Sequence, residues 1–344
     1  MGLFTFIAIL FTSGLDMGLI ILPLTEFPTY EQDEVYAFAS PLAVEFGFWG
    51  FLIWTFYFVS TVYFVALEPK LEIFEKPAIR WVHNAVIIAT CAFTAHLFLA
   101  NIAWYLPDLN GTWRVALVAA ILLTAILSST DLRFVRWLSV SSTALFFALI
   151  AGVWLALGQP PSELLASLAP LGDYFTQVHR FVLPLSDYHA FYLFWWFSWS
   201  LMIGQFVARF LGGLRLDQLL LALLVIPSIP IAIWFAVLYR YHSQATEISP
   251  AWKLVFVAVG ILFVINSVDS LVRLYSENTG LTVARLGKGQ YVACHLLLMG
   301  ALVALYRLTP LKIEWVGLVV IGVFAATLVF VVKRRGEVLA LDSD

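Results

Sequence analysis

The residues of this chain with the most chemistry to offer are aromatic and small polar side chains set inside apolar runs. The stretch Phe191-Tyr192-Leu193-Phe194-Trp195-Trp196-Phe197-Ser198-Trp199-Ser200 puts three tryptophans, Trp195, Trp196 and Trp199, within five residues. A second group holds Trp49, Trp54 and Tyr57. Trp54 and Tyr57 are three apart and share a helix face, whereas Trp49 stands oblique to them on a regular helix. Tryptophan faces attract quaternary ammonium ions, and a cage of such rings binds choline-like cations. The same clusters could serve as a membrane-interface belt or as packing. Three tryptophans in five residues exceed what a belt needs, but composition alone leaves both readings open.

Polar residues interrupt two other apolar runs. Thr12-Ser13-Gly14-Leu15-Asp16-Met17-Gly18 carries two glycines, two hydroxyls and a carboxylate. Glycine costs a helix about 1 kcal/mol relative to alanine, so this stretch can unwind and offer backbone groups to a ligand. Gly14 and Gly18 also have the small-xxx-small spacing of close helix packing. Asp16 tips the balance toward binding, because an ionisable residue within a membrane is costly and defaults to a functional role. In Asn266-Ser267-Val268-Asp269-Ser270, uncharged oxygens suit a hard cation such as sodium, or else hydrogen bonds between helices. Glu45, His96 and Asn101 read as paired structural groups. Cys91 and Cys294 read as packing residues. The six histidines are scattered, and no metal motif or catalytic constellation appears; the sequence does not read as an enzyme.

These residues have to be positioned by membrane helices. Of 344 residues, 62% are hydrophobic and 12% charged, well away from the composition of a soluble domain. A bilayer core needs roughly 20 apolar residues per helix. Ten spans are expected, at 2–24, 41–67, 81–105, 113–128, 137–158, 188–211, 217–238, 254–272, 290–306 and 314–332. Segment 161–184, with prolines at both ends, is expected to lie at the interface. The first apolar run lacks a basic n-region and contains Asp16, so it reads as a span rather than a signal peptide. Thirteen of the 19 Lys and Arg fall on one set of loops and six on the other, which predicts both termini in the cytoplasm. The expected fold is a single all-α membrane domain. Its two sets of five spans, about 2–158 and 188–332, enter from opposite sides, an inverted-repeat topology common among secondary transporters. A net charge of -3 gives no nucleic-acid footprint.

In these residues the chain resembles the betaine/choline/carnitine transporter family. The run Phe191 to Ser200, continuing Gly204-Gln205-Phe206-Val207-Ala208-Arg209, is similar to the family's signature helix, and Pro227-Ser228 and Trp234-Phe235 extend the likeness. Thr12 to Gly18 resembles the glycine-rich third helix, with Glu26 where that helix ends. Trp49-Gly50, Trp54 and Tyr57 match the fourth helix, and Phe263 through Ser270 the tenth. The matches fall in family order, starting at the third helix, so the chain reads as a short member without the first two. The resemblance implies a cage of Trp49, Trp54, Tyr57 and Trp196 around a trimethylammonium group. It implies a sodium site formed by backbone near Thr12 and Leu15 with Asn266 and Ser267, and a LeuT-like five-plus-five core. Leu193 stands where a tryptophan is usual, Asn266 where threonine is usual, and Asp16 where glycine is common.

The expected function is secondary import of a quaternary ammonium solute of choline, betaine or carnitine type. Sodium or protons would drive it, with no other cofactor, in a bacterial inner membrane. The alternative is a membrane sensor or complex subunit that binds such a solute without moving it. The cage would comprise Trp49, Trp54, Tyr57, Trp195, Trp196 and Trp199, with Gly14 and Asp16 beside it. Asp16 would favour a cation lacking a carboxylate and make uptake depend on pH. The oligomeric state stays open, since the family's first two helices contribute to its trimer contacts.

Overall fold

A computed structural model describes residues 3–13, 15, 18–209 and 215–336. Gly14 and Asp16 lie outside the described residues. All regular structure among the described residues is helical. Nine of these helices are long and apolar enough to cross a membrane. The second expected span is one 31-residue helix. It runs through α4 (Pro41–Trp49), α5 (Phe51–Val62), a π-helical turn (Tyr63–Leu67) and α6 (Glu68–Leu71). Next come α7 (Pro77–Tyr105), α8 (Gly111–Ser128) and α9 (Leu132–Leu157). Then follow two short helices, α10 (Pro161–Ser167) and α11 (Gly172–Gln177), and the long α12 (Asp187–Ala208). The seventh span joins α13 (Leu216–Leu220), a π-helical turn and α14 (Ile226–Ser243). The last three are α15 (Pro250–Thr279), α17 (Lys288–Leu308) and α18 (Ile313–Lys333), with the short α16 (Val283–Leu286) ahead of α17.

The first expected span differs from the others. It comprises α1 (Leu3–Ser13), α2 (Gly18–Ile21) and α3 (Pro23–Gln32). Leu15, between α1 and α2, is non-helical and fully buried. Segment 161–184 is a string of short α and 3-10 turns in place of one helix. Pro170 in its middle lacks the N–H a continuous helix would use.

Short polar residues set where the helices start. Ser40, Asn110, Asp131, Ser186 and Ser249 each accept a hydrogen bond from a backbone N–H in the following first turn, satisfying donors that have no intrahelical partner. Gly158 and Gly280, at φ 69° and 72°, close α9 and α15 in the left-handed conformation that glycine adopts without strain.

Packing relates the two sets of five. In the first set α1 packs on α9, and in the second α12 packs on α18. Similarly α5 with α12 corresponds to α14 with α3, α7 with α17 to α15 with α8, and α7 with α18 to α15 with α9. The pairs α7 with α15, α8 with α17 and α4 with α14 map onto themselves. Exchanging the sets therefore reproduces the principal contacts, as an inverted repeat requires. Lipid gives apolar helices little reason to associate, so close backbone approach matters more than in water. A Cβ on Gly317 of α18 would lie 2.4 Å from the Phe194 carbonyl oxygen of α12, and one on Gly204 of α12 would lie 2.4 Å from Ser60 Cβ of α5.

Gly317→Ala is therefore expected to lower the thermal midpoint of the detergent-solubilised protein by the equivalent of about 1–3 kcal/mol of overpacking. Gly322→Ala on the same helix, where a Cβ would meet nothing within 4 Å, should leave the midpoint unchanged. Equal midpoints for both variants would contradict the close approach of α12 and α18.

Candidate substrate site

The site draws on two local breaks, one at Gly50 and one after α1. Gly50 interrupts the second span between Trp49 and Phe51, with φ −89° and ψ −145°. The backbone thus turns between the two aromatic groups, which a regular helix would have kept oblique. Trp49 faces α12, its ring centroid 4.9 Å from Trp196 and 5.7 Å from Trp195, both edge-to-face. Trp195 and Trp196 stack at 4.7 Å. Tyr192 and Phe235 meet the other edges of Trp49, at 5.9 and 6.4 Å. Trp54 and Tyr57 form a second edge-to-face pair at 5.3 Å. All of these rings, and Trp199, are buried. Trp49 and Trp196 touch, so a trimethylammonium group between them requires these walls to part.

The indole N–H groups are informative. Those of Trp54, Trp195, Trp196 and Trp199 are buried and meet no hydrogen-bond acceptor among the described residues. Such a donor costs about 1–3 kcal/mol unless something accepts from it. Trp234, by contrast, donates to the Leu19 carbonyl at 2.9 Å, as a structural tryptophan does.

The break after α1 lies against α15. Ser267 Oγ donates to the Leu15 carbonyl at 2.7 Å and lies 3.5 Å from that of Thr12. Three of the four residues expected around a sodium ion are thus together: two carbonyls and a hydroxyl, all buried. Asn266 turns elsewhere, its Oδ1 accepting from Ser139 Oγ of α9 at 3.0 Å, while its Nδ2 has no acceptor among the described residues. The Thr12 hydroxyl bonds back to the Ala8 carbonyl at 2.8 Å, leaving its backbone oxygen as the group that faces Ser267.

Sequence reasoning passed over a cluster beside the tryptophans. Glu26 and Glu45 are both buried, and Tyr30 Oη lies 2.9 Å from an oxygen of each. Tyr192 donates to Glu26 at 2.7 Å, and Tyr188 donates to it as well. The signal was present in the chain: Glu26 and Tyr30, Glu45 and Trp49, and Tyr188 and Tyr192 are each four apart, on common helix faces. Glu45 is no isolated structural group, because its partners come from another span.

These bonds tie the start of α12 to α3. The far end of α12 is tied too. Gln205 Oε1 accepts from Asn278 at 2.9 Å and lies 3.0 Å from His83 Nε2. Arg209 pairs with Glu277 and bonds Asn278 at 2.6 Å. The helix carrying the tryptophans is thus held at both ends across the bundle, with its aromatic centre closed.

A bundle of nine helices long and apolar enough to cross a membrane, with a broken first span and aromatic walls at its centre, marks an integral membrane protein. Residues 87–251 match the family model described as betaine/carnitine/choline family transporter. It is 24% identical over 274 residues to the ectoine/hydroxyectoine transporter of Virgibacillus pantothenticus, covering 68% of this chain and 54% of that protein. It is 23% identical over 271 residues to an osmo-independent choline transporter of Acinetobacter baylyi, covering 66% and 51%. An uncharacterized transporter of Mycobacterium tuberculosis is 31% identical over 150 residues, covering 40% and 25%. The matched segment thus spans between a quarter and about half of the length of these relatives.

Tyr192→Phe removes a hydroxyl within bonding distance of both Glu26 oxygens, and is expected to destabilise the protein by about 1–3 kcal/mol in thermal unfolding. Tyr306→Phe serves as the reference, because the buried Tyr306 hydroxyl has no partner among the described residues. A Tyr192→Phe protein no less stable than Tyr306→Phe would show that the cluster does not hold α12.

Proposed function

We propose that this chain is a secondary transporter that imports a quaternary ammonium solute of choline, betaine or carnitine type. The observation that carries the reading is the meeting of buried tryptophans from both halves, Trp49 and Trp196, beside indole donors without acceptors. The ring faces would hold the ammonium group, at about 2 kcal/mol or more when desolvated. The indole N–H groups of Trp54, Trp195, Trp196 and Trp199 would receive the solute's oxygen-bearing end, and Tyr57 would complete the wall. One relative's name, that of a choline transporter, supports this class, whereas ectoine, named for another, is a zwitterion without a quaternary ammonium group.

Movement would follow from the repeat. The halves, about 2–158 and 188–332, would rock about the site, breaking the bonds at one end of α12 while keeping those at the other. A solute or ion drives this only through different affinities for the inward- and outward-open states. Sodium is one coupling ion the residues suit. The Thr12 and Leu15 carbonyls and Ser267 Oγ would bind it as cargo, with Asn266 joining only if it leaves Ser139. The chain would sit in a bacterial inner membrane with both termini in the cytoplasm.

Uptake of labelled choline and betaine into proteoliposomes, with sodium and pH gradients imposed separately, tests the proposal. Accumulation against a gradient is expected; binding without accumulation would make the protein a sensor or a subunit of a complex. Trp196→Ala should weaken binding about 30-fold, the equivalent of one lost cation–π contact, with the unfolding midpoint little changed. Unaltered affinity for every onium solute would remove the cage. Ser267→Ala should abolish any sodium dependence while leaving sodium-independent solute binding intact.

Orientation is a separate expectation. A C-terminal reporter active only outside the cytoplasm should stay dark, as thirteen basic residues against six predict. A bright signal would overturn the proposed topology.

A further inference from the structure

We propose that Glu26 and Glu45 hold one proton between them in the closed protein, and that a solute cation entering the adjoining tryptophan site displaces it. The proposal rests on the onium reading above for its second half only. Its first half follows from counting hydrogens. Tyr30 Oη lies 2.9 Å from Glu26 Oε2 and 2.9 Å from Glu45 Oε2. A tyrosine hydroxyl owns one hydrogen, and an ionised carboxylate owns none. Tyr30 bridges two separate carboxyl groups, and a full hydrogen bond to each needs a second hydrogen, which one carboxyl group supplies.

The surroundings decide which. Glu26 accepts from Tyr188 and Tyr192 as well as bonding Tyr30, the arrangement that stabilises a carboxylate ion. Glu45 has weaker support, from Tyr30 and from the nearby indole N–H of Trp49. Its Oε1 is buried and meets no donor in full hydrogen-bond geometry, and the residue is 0% exposed. A buried charge without partners is costly in any protein and more so within a membrane. The hydrogen therefore belongs on Glu45, which donates to Tyr30, which donates to Glu26. The cluster then carries one negative charge, and no Lys or Arg among the described residues pairs with either carboxyl group.

Other titratable and charged groups approach from each neighbouring element. From α3 come Glu26 and Tyr30. From α12 come Tyr188, Tyr192 and His189, whose ring stacks on Phe48 at 4.8 Å and whose Nδ1 accepts from the Leu185 N–H. Tyr36 packs on Tyr30 at 5.2 Å. From α11, Tyr174 packs on Phe46, and Asp173 takes the Ser40 N–H. Arg180 lies over Phe38, and Tyr239 and His242 of α14 lie behind Phe27, with His242 paired to Glu31. His189 is the imidazole here whose ring stacks on α4.

The cluster is joined to the tryptophans twice. Glu45 precedes Trp49 by one helical turn on α4, about 5–6 Å between Cβ atoms. Tyr192 bonds Glu26 and lies edge-on to Trp49. A fixed positive charge held at Trp49 is thus close enough to favour the ionised form of Glu45. On its arrival the Glu45 O–H bond breaks, the electron pair stays on the carboxylate, and the proton leaves to water on whichever side is open. Coupling of this kind is reciprocal: a proton that weakens the cation is released by it to the same degree.

The full-length protein in detergent tests both halves. Without any solute, infrared spectroscopy should show a protonated-carboxyl C=O band that E45Q removes. With solute, choline affinity read from tryptophan fluorescence should fall about tenfold per pH unit on the acid side, and binding should release a proton into a lightly buffered dye solution. In E45Q binding should persist with a flat pH profile and no release, while H189Q should keep the wild-type profile. If E45Q does not fold, Y30F, which cuts the link between the carboxyls, should shift the band and the profile together. An unchanged band in E45Q, or a profile that disappears in H189Q, would overturn the proposal. A band that vanishes in E45Q while no onium solute binds the wild type would confirm the shared proton and overturn its displacement, together with the onium reading.

Discussion

In the apolar interior of a membrane a helix that stops must hand its backbone groups to something else. Here α1 stops at Ser13, the Leu15 carbonyl leaves the helical pattern, and Ser267 of α15 donates to it. That bond joins the broken first span to α15. With it in place, a non-helical backbone can persist at the centre of the protein. The candidate ion site is the same set of atoms, and the tryptophans of α4 and α12 complete the centre of the same bundle. Removing the break would give an ordinary tenth helix with its backbone polarity turned entirely inward.

The remainder of the bundle holds that centre without rigidly fixing it. Contacts made by the first five spans are repeated by the last five with partners exchanged, so neither set dominates. Close passage at Gly204 and Gly317 locks α12 to α5 and α18 through backbone contact. At its two ends, however, α12 is held by hydrogen bonds and an ion pair, which water can replace. The helix is thus clamped by glycine contact along its length and by exchangeable polar bonds at its tips.

Much of this was legible in the chain because membrane helices announce themselves by length and apolarity. The ten expected spans coincide with nine long helices and the broken first one, most ends falling within a few residues. Thr12, Leu15 and Ser267 came together as expected. Asn266 did not, because its Oδ1 accepts from Ser139 of α9. The mutual orientation of Trp49 and Trp54 was illegible on a regular-helix assumption, since Gly50 turns the backbone between them. Glu45 is paired, as a structural polar group would be, but its partner was not legible: Tyr30 of another span links it to a second acid, Glu26. Residue spacing within one helix shows which groups share a face, and it does not show which face of another helix they meet.

The polar groups at this centre make opposite demands on a solute, and the conflict narrows what can satisfy them. Four indole N–H groups call for an acceptor, which a carboxylate supplies more strongly than a hydroxyl. The Glu26–Glu45 cluster, one turn from Trp49, repels that same carboxylate. A zwitterion can meet both only by lying with its ammonium group toward Trp49 and its acidic end toward Trp54 and Trp199. A simple cation such as choline meets the acid cluster fully and leaves several indole donors to water. On the proposed reading, orientation of the solute relative to Glu45 would separate these solutes. Proton occupancy of Glu45 would set the strength of that preference, because a neutral Glu45 would remove part of the repulsion and tilt the balance toward the zwitterion.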